Sequence, residues 1–188
     1  LGFSKRKHLP VVKIGHISLP IWKYRYAQRV AKMIGKLILD EYAKKTIINE
    51  LAEFENFYLP PFSLKGKTVL DIGACCGETA YFYLQRGAEK VICIEPDPNR
   101  VELIKQNKNN FNLNIELINT CFEPSHLLLL YDFIKCDIEG SEVKLIPFLK
   151  QIKPCVLEAH GDNIRTQFEK NGFHTIHHRH NYYLMTNY

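Results

Sequence analysis

The sequence predicts an α/β fold, a mostly parallel sheet covered by helices on both faces and closed at one edge by an antiparallel hairpin. Three observations carry this. From residue 67 onward, short and almost continuously apolar runs alternate with helical patterns, as expected of strands buried on both faces. The first run ends in a glycine-rich turn, 68-TVLDIGACCG-77. At the C-terminus the alternation breaks, and two strand-like runs follow each other with no helix between them.

The elements follow in order. TVLDIG is the first central strand, and ETAYFYLQRG (78–87) is a helix closed by Gly87. KVICIEP (90–96) is the second buried strand. DPNRVELIKQNKNN (97–110) is a helix with Asp97 as its N-cap and Pro98 at its first position. IELINT, DFIKCD and PCVLEAH are strands three, four and five, with EGSEVKLIPFLK (139–150) as a helix between the last two. NIRTQFEKNGF reads as a helix ending at Gly172, and 173–187 as two strands about a turn near His180-Asn181. Alternation on that hairpin predicts His174, His178 and His180 on one face and His177 on the other, most simply a solvated patch.

Residues 1–66 form a basic extension before the core at 67–188. VVKIGHISLPIW (11–22) reads as short extended structure. A helical period runs through Val30, Ile34, Leu37, Ile38, Ile48, Leu51 and Phe54, and YLPPFSLKGK is the linker into the core. The helical segment is expected to act as a lid over substrate, with a structural cap as the alternative. Residues 1–45 hold 11 Lys and Arg against two acids, whereas the remainder is mildly acidic. Such a segment suits RNA, lipid headgroups or a phosphorylated substrate, but a solvated helix face explains it as well, and no nucleic-acid motif accompanies it.

No apolar run approaches the roughly 20 residues of a membrane span. The sequence opens at Leu1 without a methionine, which leaves open whether further residues, a targeting segment among them, precede it. The six cysteines form no C-x-x-C pair, and Cys75, Cys93, Cys136 and Cys155 lie in or beside apolar runs. They are read as reduced, buried thiols in a reducing compartment, the cytoplasm.

The glycine turn is the first chemical signal. In an open α/β sheet, ligands bind beyond the carboxyl ends of the strands where strand order reverses. The spacing here is D-x-G-x-x-x-G; neither the dinucleotide fingerprint G-x-G-x-x-G nor a P-loop occurs. The loop therefore suits close backbone approach to a ligand without a phosphate group. Glu95 ends the next strand, where a carboxylate can accept both hydroxyls of a ribose.

VLDIGACCG followed by VICIEP resembles motif I and the acidic second strand of class I S-adenosylmethionine-dependent methyltransferases. More narrowly, KCDIEGSE (135–142) followed by VLEAHG (156–161) is similar to the K-x-D-x-E-G-x-E and E-x-H blocks of FkmB-like methyltransferases. The resemblance spans roughly residues 67–178 and implies a Rossmann-like seven-stranded sheet. It further implies that Asp71, Gly73, Ala74 and Gly77 line the methionine and ribose part of the cofactor, and that Glu95 holds the ribose. Pro96 and Asp97 would border the adenine, Asn119 and Thr120 would contact it, and Asp137 would stand beside the transferable methyl. Two departures stand out. Cys75 holds the middle of the loop, where the family often has a small or amide residue. The connection from Thr120 to Tyr131 is too short for the usual helix, which is expected to be reduced.

Methyl transfer is a direct displacement, so the chain contributes positioning and, for a protonated nucleophile, a base. Asp137, Glu139, Glu158 and His160 converge at the ends of strands four and five as the catalytic candidates, with His160 or Asp137 as the base. Glu142 is read as an acid favouring a helix N-terminus. A divalent ion on Asp137, Glu158 and His160 is an open alternative that no spacing demands. The resemblance implies O-methylation of a small hydroxylated molecule. The Asn/Asp-Pro-Pro-aromatic motif of many amino-group methyltransferases is missing after strand four. RNA methylation through residues 1–45 is the second reading, and a non-catalytic cofactor-binding module the third.

Overall fold

A computed structural model describes residues 11–14, 17–20, 35–46, 54 and 57–188. Strands β1 (Val11–Ile14) and β2 (Ile17–Pro20) pair as an antiparallel ribbon, in line with the extended reading of that stretch.

The main sheet comprises β3 (Thr68–Ile72), β4 (Lys90–Ile94), β5 (Ile115–Ile118), β6 (Phe133–Cys136), β7 (Cys155–His160), β8 (His174–Arg179) and β9 (Tyr182–Thr186). Their order is β5-β4-β3-β6-β7-β9-β8. The first five strands are parallel, while β9 runs antiparallel to both β7 and β8. This is the Rossmann-like seven-stranded sheet that the sequence predicts. Chain order reverses at β3, with β4 on one side and β6 on the other, so the crevice for a ligand opens at its carboxyl end.

Alternation along β3 feeds two cores. Val69 faces a cluster with Phe82, Tyr83, Val91 and Phe133, whereas Leu70 and Ile72 face one with Ile94, Ile134, Leu145 and Leu157. Each fully buried side chain of this kind contributes about 1.5–3 kcal/mol. Helices α1 (Glu78–Gln85) and α2 (Pro98–Phe111) follow β3 and β4, and α3 (Asp162–Glu169) follows β7. Asp97 caps α2 as expected, its Oδ1 accepting from Asn99 N–H at 2.8 Å. The short connection after β5 holds only a 3₁₀ segment, Pro124–Leu128, so the expected reduction is present.

Three expectations need correction. The segment read as a helix at 139–150 is a 3₁₀ run, Ser141–Phe148, entered through Gly140 at φ 97°. It contains Pro147, whose ring would clash with the carbonyl of residue 143 in an α-helix. The helical period across 26–55 is interrupted, because residues 35–40 are non-helical and the helix at 41–46 starts after Asp40. Asp40 caps it, Oδ1 accepting from Ala43 N–H at 2.6 Å. Val30, Ile34, Ile48 and Leu51 lie outside the described residues.

The histidine faces are also redistributed. A bulge between Thr175 and His177 resets the alternation of β8. His174 and His177 then lie opposite Thr186 and Leu184 on one face, and His178 lies opposite Tyr183 on the other. Accordingly His177 stacks on Phe57 and His178 on Tyr183.

Candidate active site

A cavity of about 310 Å³ opens at the carboxyl ends of β3, β4 and β6. Its floor is the glycine turn. Gly73 has φ 79°, and a Cβ there would lie 1.8 Å from the Asp137 carbonyl oxygen, so only glycine lets β3 and β6 close at this point. Gly73 N–H and Ala74 N–H both donate to Ile94 O, folding the turn over the end of β4. Gly77, at φ 83°, precedes α1.

Glu95 sits where this turn meets β4. Its Oε2 accepts from Cys75 N–H at 2.9 Å and its Oε1 from Asp97 N–H at 3.0 Å. The carboxylate is thus fixed by one amide on each oxygen, and it lines the cavity. Burial pushes its pKa above the usual carboxylate value, despite those two bonds and the nearby Arg100 and Lys135.

Behind the turn lies an ion pair. Asp71 and Lys135 are register partners on β3 and β6, both buried, with Nζ 3.2 Å from Oδ1. Thr79 Oγ1 donates to Asp71 Oδ2 at 2.5 Å, and Lys135 Nζ donates to Gly73 O at 2.7 Å. Burial alone would lower the lysine pKa, but Asp71, Asp137 and Glu78 hold it well above its ordinary value. The pair clamps the turn from below, so Asp71 acts on the cavity through the backbone.

The opposite wall is built at the ends of β6 and β7. Asp137 and Glu139 line the cavity, and His160 stands beside them, its Nε2 4.0 Å from Asp137 Oδ1 and 3.4 Å from Glu139 Oε2. Glu142, read from the sequence as an acid serving a helix N-terminus, is buried and does more than that. Its Oε1 accepts from Ile138 N–H and Gly140 N–H, each at 3.1 Å, and lies 3.0 Å from His160 Nδ1. A carboxylate can only accept, so Nδ1 carries the proton. Burial alone would lower the His160 pKa; Glu142, then Asp137 and Glu139, raise it.

The N-terminal segment closes the cavity from above. Tyr42, Thr46, Phe54 and Tyr58 contribute to its lining. Asn107 on α2 anchors the segment, taking Ile38 N–H on Oδ1 and donating Nδ2 to Ile38 O, both at 2.8 Å. Arg100 pairs with Asp40 at 3.1 Å, and Tyr42 OH donates to Glu139 Oε1 at 3.2 Å.

Of the residues proposed from sequence, Gly73, Glu95, Pro96, Asp137 and Glu139 line the cavity. Asp71, Ala74, Gly77 and Asp97 shape its frame. Asn119 is exposed and donates to the carbonyls of Glu95 and Pro96, steadying that loop, and Thr120 N–H bonds Ile118 O. Glu158 is buried two residues back from His160 along β7, roughly 6–7 Å, and does not join the cluster. Lys135, Thr79, Asn107, Arg100 and Glu142 were missed as site residues. Only Lys135 carried a signal, as a charge inside a strand otherwise wholly apolar.

No family model and no curated protein matches the chain. Solved structures do. A precorrin-6y C5,15-methyltransferase from Geobacter metallireducens superposes with a TM-score of 0.60 at 17% identity, covering 81% of this chain and 93% of that one. A candidate RNA methyltransferase from Pyrococcus horikoshii gives 0.57 at 18%, covering 86% and 97%. A ribosomal protein L11 methylase from Lactobacillus delbrueckii subsp. bulgaricus gives 0.54 at 16%, covering 76% and 77%. At these identities the likeness is one of fold, and the fold is that of class I methyltransferases.

Proposed function

We propose that this protein is an S-adenosylmethionine-dependent methyltransferase that methylates a hydroxyl oxygen of a small molecule, in the manner of the FkmB-like enzymes its motifs resemble. One observation carries the reading. Glu95 presents an amide-anchored carboxylate into a cavity whose glycine turn makes no phosphate cradle. Each oxygen keeps a lone pair for a ribose hydroxyl. Gly73 leaves the backbone bare beside it, so the residues present fit a nucleoside with a non-phosphate tail.

The cofactor, when bound, supplies a methyl group activated on a sulfonium. The chain's own residues do the rest. Glu95 and the turn hold and orient it, Tyr42 and Thr46 of the N-terminal segment line the cavity over it, and in the absence of any cation the Asp137–Glu139–His160 cluster manages the proton of the acceptor hydroxyl. An RNA acceptor is the second reading, favoured by the 11 basic residues of positions 1–45.

The test is calorimetric titration of S-adenosylmethionine into the wild type and Glu95→Ala. Binding weakened by about tenfold to a hundredfold, as expected for losing charge-assisted hydrogen bonds, supports the pocket. A folded wild type that binds none overturns the reading. A cofactor-binding protein inactive on both hydroxylated small molecules and tRNA is a binding module instead. Filter binding of tRNA with a steep salt dependence would move the acceptor to RNA.

A further inference from the structure

We propose that Asp137, Glu139 and His160 form a divalent-cation site at the acceptor wall of the cavity, with Glu142 as the residue that orients the imidazole. The cation's role rests on the methyl-transfer reading; its binding does not. One donor atom from each of the three residues lies within 4.8 Å of the others. The separations from Nε2, 3.4 Å and 4.0 Å, need contract by less than about 1 Å for ligands near 2.1 Å from a shared ion.

The surroundings single out these atoms. Among the described residues, Asp137 Oδ1 is buried and accepts no hydrogen bond. Nδ1 of His160 is committed to Glu142, which leaves Nε2 to face the two carboxylates, the carboxylate–histidine–metal arrangement of many metal sites. Tyr42 takes Glu139 Oε1 and leaves Oε2 toward the imidazole. Glu139 is itself held at φ 52°, which returns its side chain over the end of β7. Two carboxylates and one imidazole suit Mn²⁺ or Zn²⁺.

Because Asp137 and Glu139 line the cavity, a cation on them stands against the acceptor. With a cation bound, the three side chains would serve as its ligands and not as the base; the cation would lower the pKa of the acceptor hydroxyl, whose proton leaves to solvent water. The oxygen then forms its bond to the methyl carbon as the carbon–sulfur bond breaks, and that electron pair stays on sulfur.

The experiment is titration of MnCl₂ into the full chain, reading free Mn²⁺ by electron paramagnetic resonance. Wild type, Glu139→Gln, His160→Ala and Glu142→Gln are compared, with folding checked by thermal melts. One Mn²⁺ per chain is expected, bound at least tenfold more weakly by each variant. Glu139→Gln is decisive because its side chain is 70% exposed and the substitution leaves the core intact. No stoichiometric uptake by folded wild type, or uptake unchanged in Glu139→Gln and His160→Ala, overturns the site. S-adenosylmethionine titrated into the same samples separates the two ideas. Cofactor binding without Mn²⁺ uptake overturns the cation alone, and Mn²⁺ uptake without cofactor binding supports the cation and removes the methyl-transfer reading.

Discussion

The two walls of the cavity are built on different principles. At the β3–β4 wall, Glu95 is held by backbone amides of its own and the preceding loop, and the turn is clamped by a buried ion pair between adjacent strands. At the β6–β7 wall, His160 is held by side chains, Glu142 and Glu139, and through Glu139 by Tyr42 from 97 residues away. Backbone anchoring holds the Glu95 carboxylate whatever side chains surround it. Side-chain anchoring, completed by a separate segment, makes the second wall depend on the particular residues that supply it.

The largest effect is expected where the clamp is broken. Lys135→Met leaves the Asp71 carboxylate buried with Thr79 as its remaining partner, and should cost about 3–5 kcal/mol in urea denaturation. Adding Asp71→Asn should recover much of that loss. A cost under about 1 kcal/mol for the single change would mean that the ion pair does not clamp the turn.

An intermediate effect belongs to the segment at 35–46. Asn107→Ala removes two hydrogen bonds to Ile38 and one to Cys76 O, and should cost about 2–3 kcal/mol. Limited proteolysis should then cut first within 35–46, ahead of the core. Cleavage no faster than in wild type would show the segment to be held by other contacts.

The smallest effect sharpens the comparison by pH. Burial raises the Glu95 pKa above the ordinary carboxylate value, and in the proposed cofactor site it is the ionised form that takes the two ribose hydroxyls. Cofactor affinity should therefore fall as pH drops through that raised value, by about tenfold per pH unit below it. Glu95→Gln should bind weakly with no such dependence. A flat profile in the wild type would take Glu95 out of cofactor binding.

The β3–β4 wall was legible in the sequence because its elements are contiguous. A strand, a glycine turn and the acid ending the next strand are read within 28 residues, 68–95, and parallel neighbours bring them into register. The β6–β7 wall was legible in its residue types but not its partnerships. Asp137, Glu139 and His160 were picked out, yet Glu158 was grouped with them and Glu142 was given only a helix-end role. Strand spacing alone does not tell which acid a loop in the left-handed conformation will swing toward an imidazole. The histidine faces failed for a related reason, since one extra residue at a bulge inverts every parity after it.

By itself the sequence determined the α/β alternation, the seven strands, the Asp97 cap, the glycine turn and the position of Glu95. These follow from hydrophobic period, backbone preference and chain continuity, all of which act over a few residues. Only the tertiary structure decided that Lys135 neutralises Asp71, that Asn107 binds Ile38 from 69 residues away and that Glu142 holds His160. Those contacts arise from the order in which strands assemble and from burial, which forces each polar group left inside to find a partner wherever the fold places one.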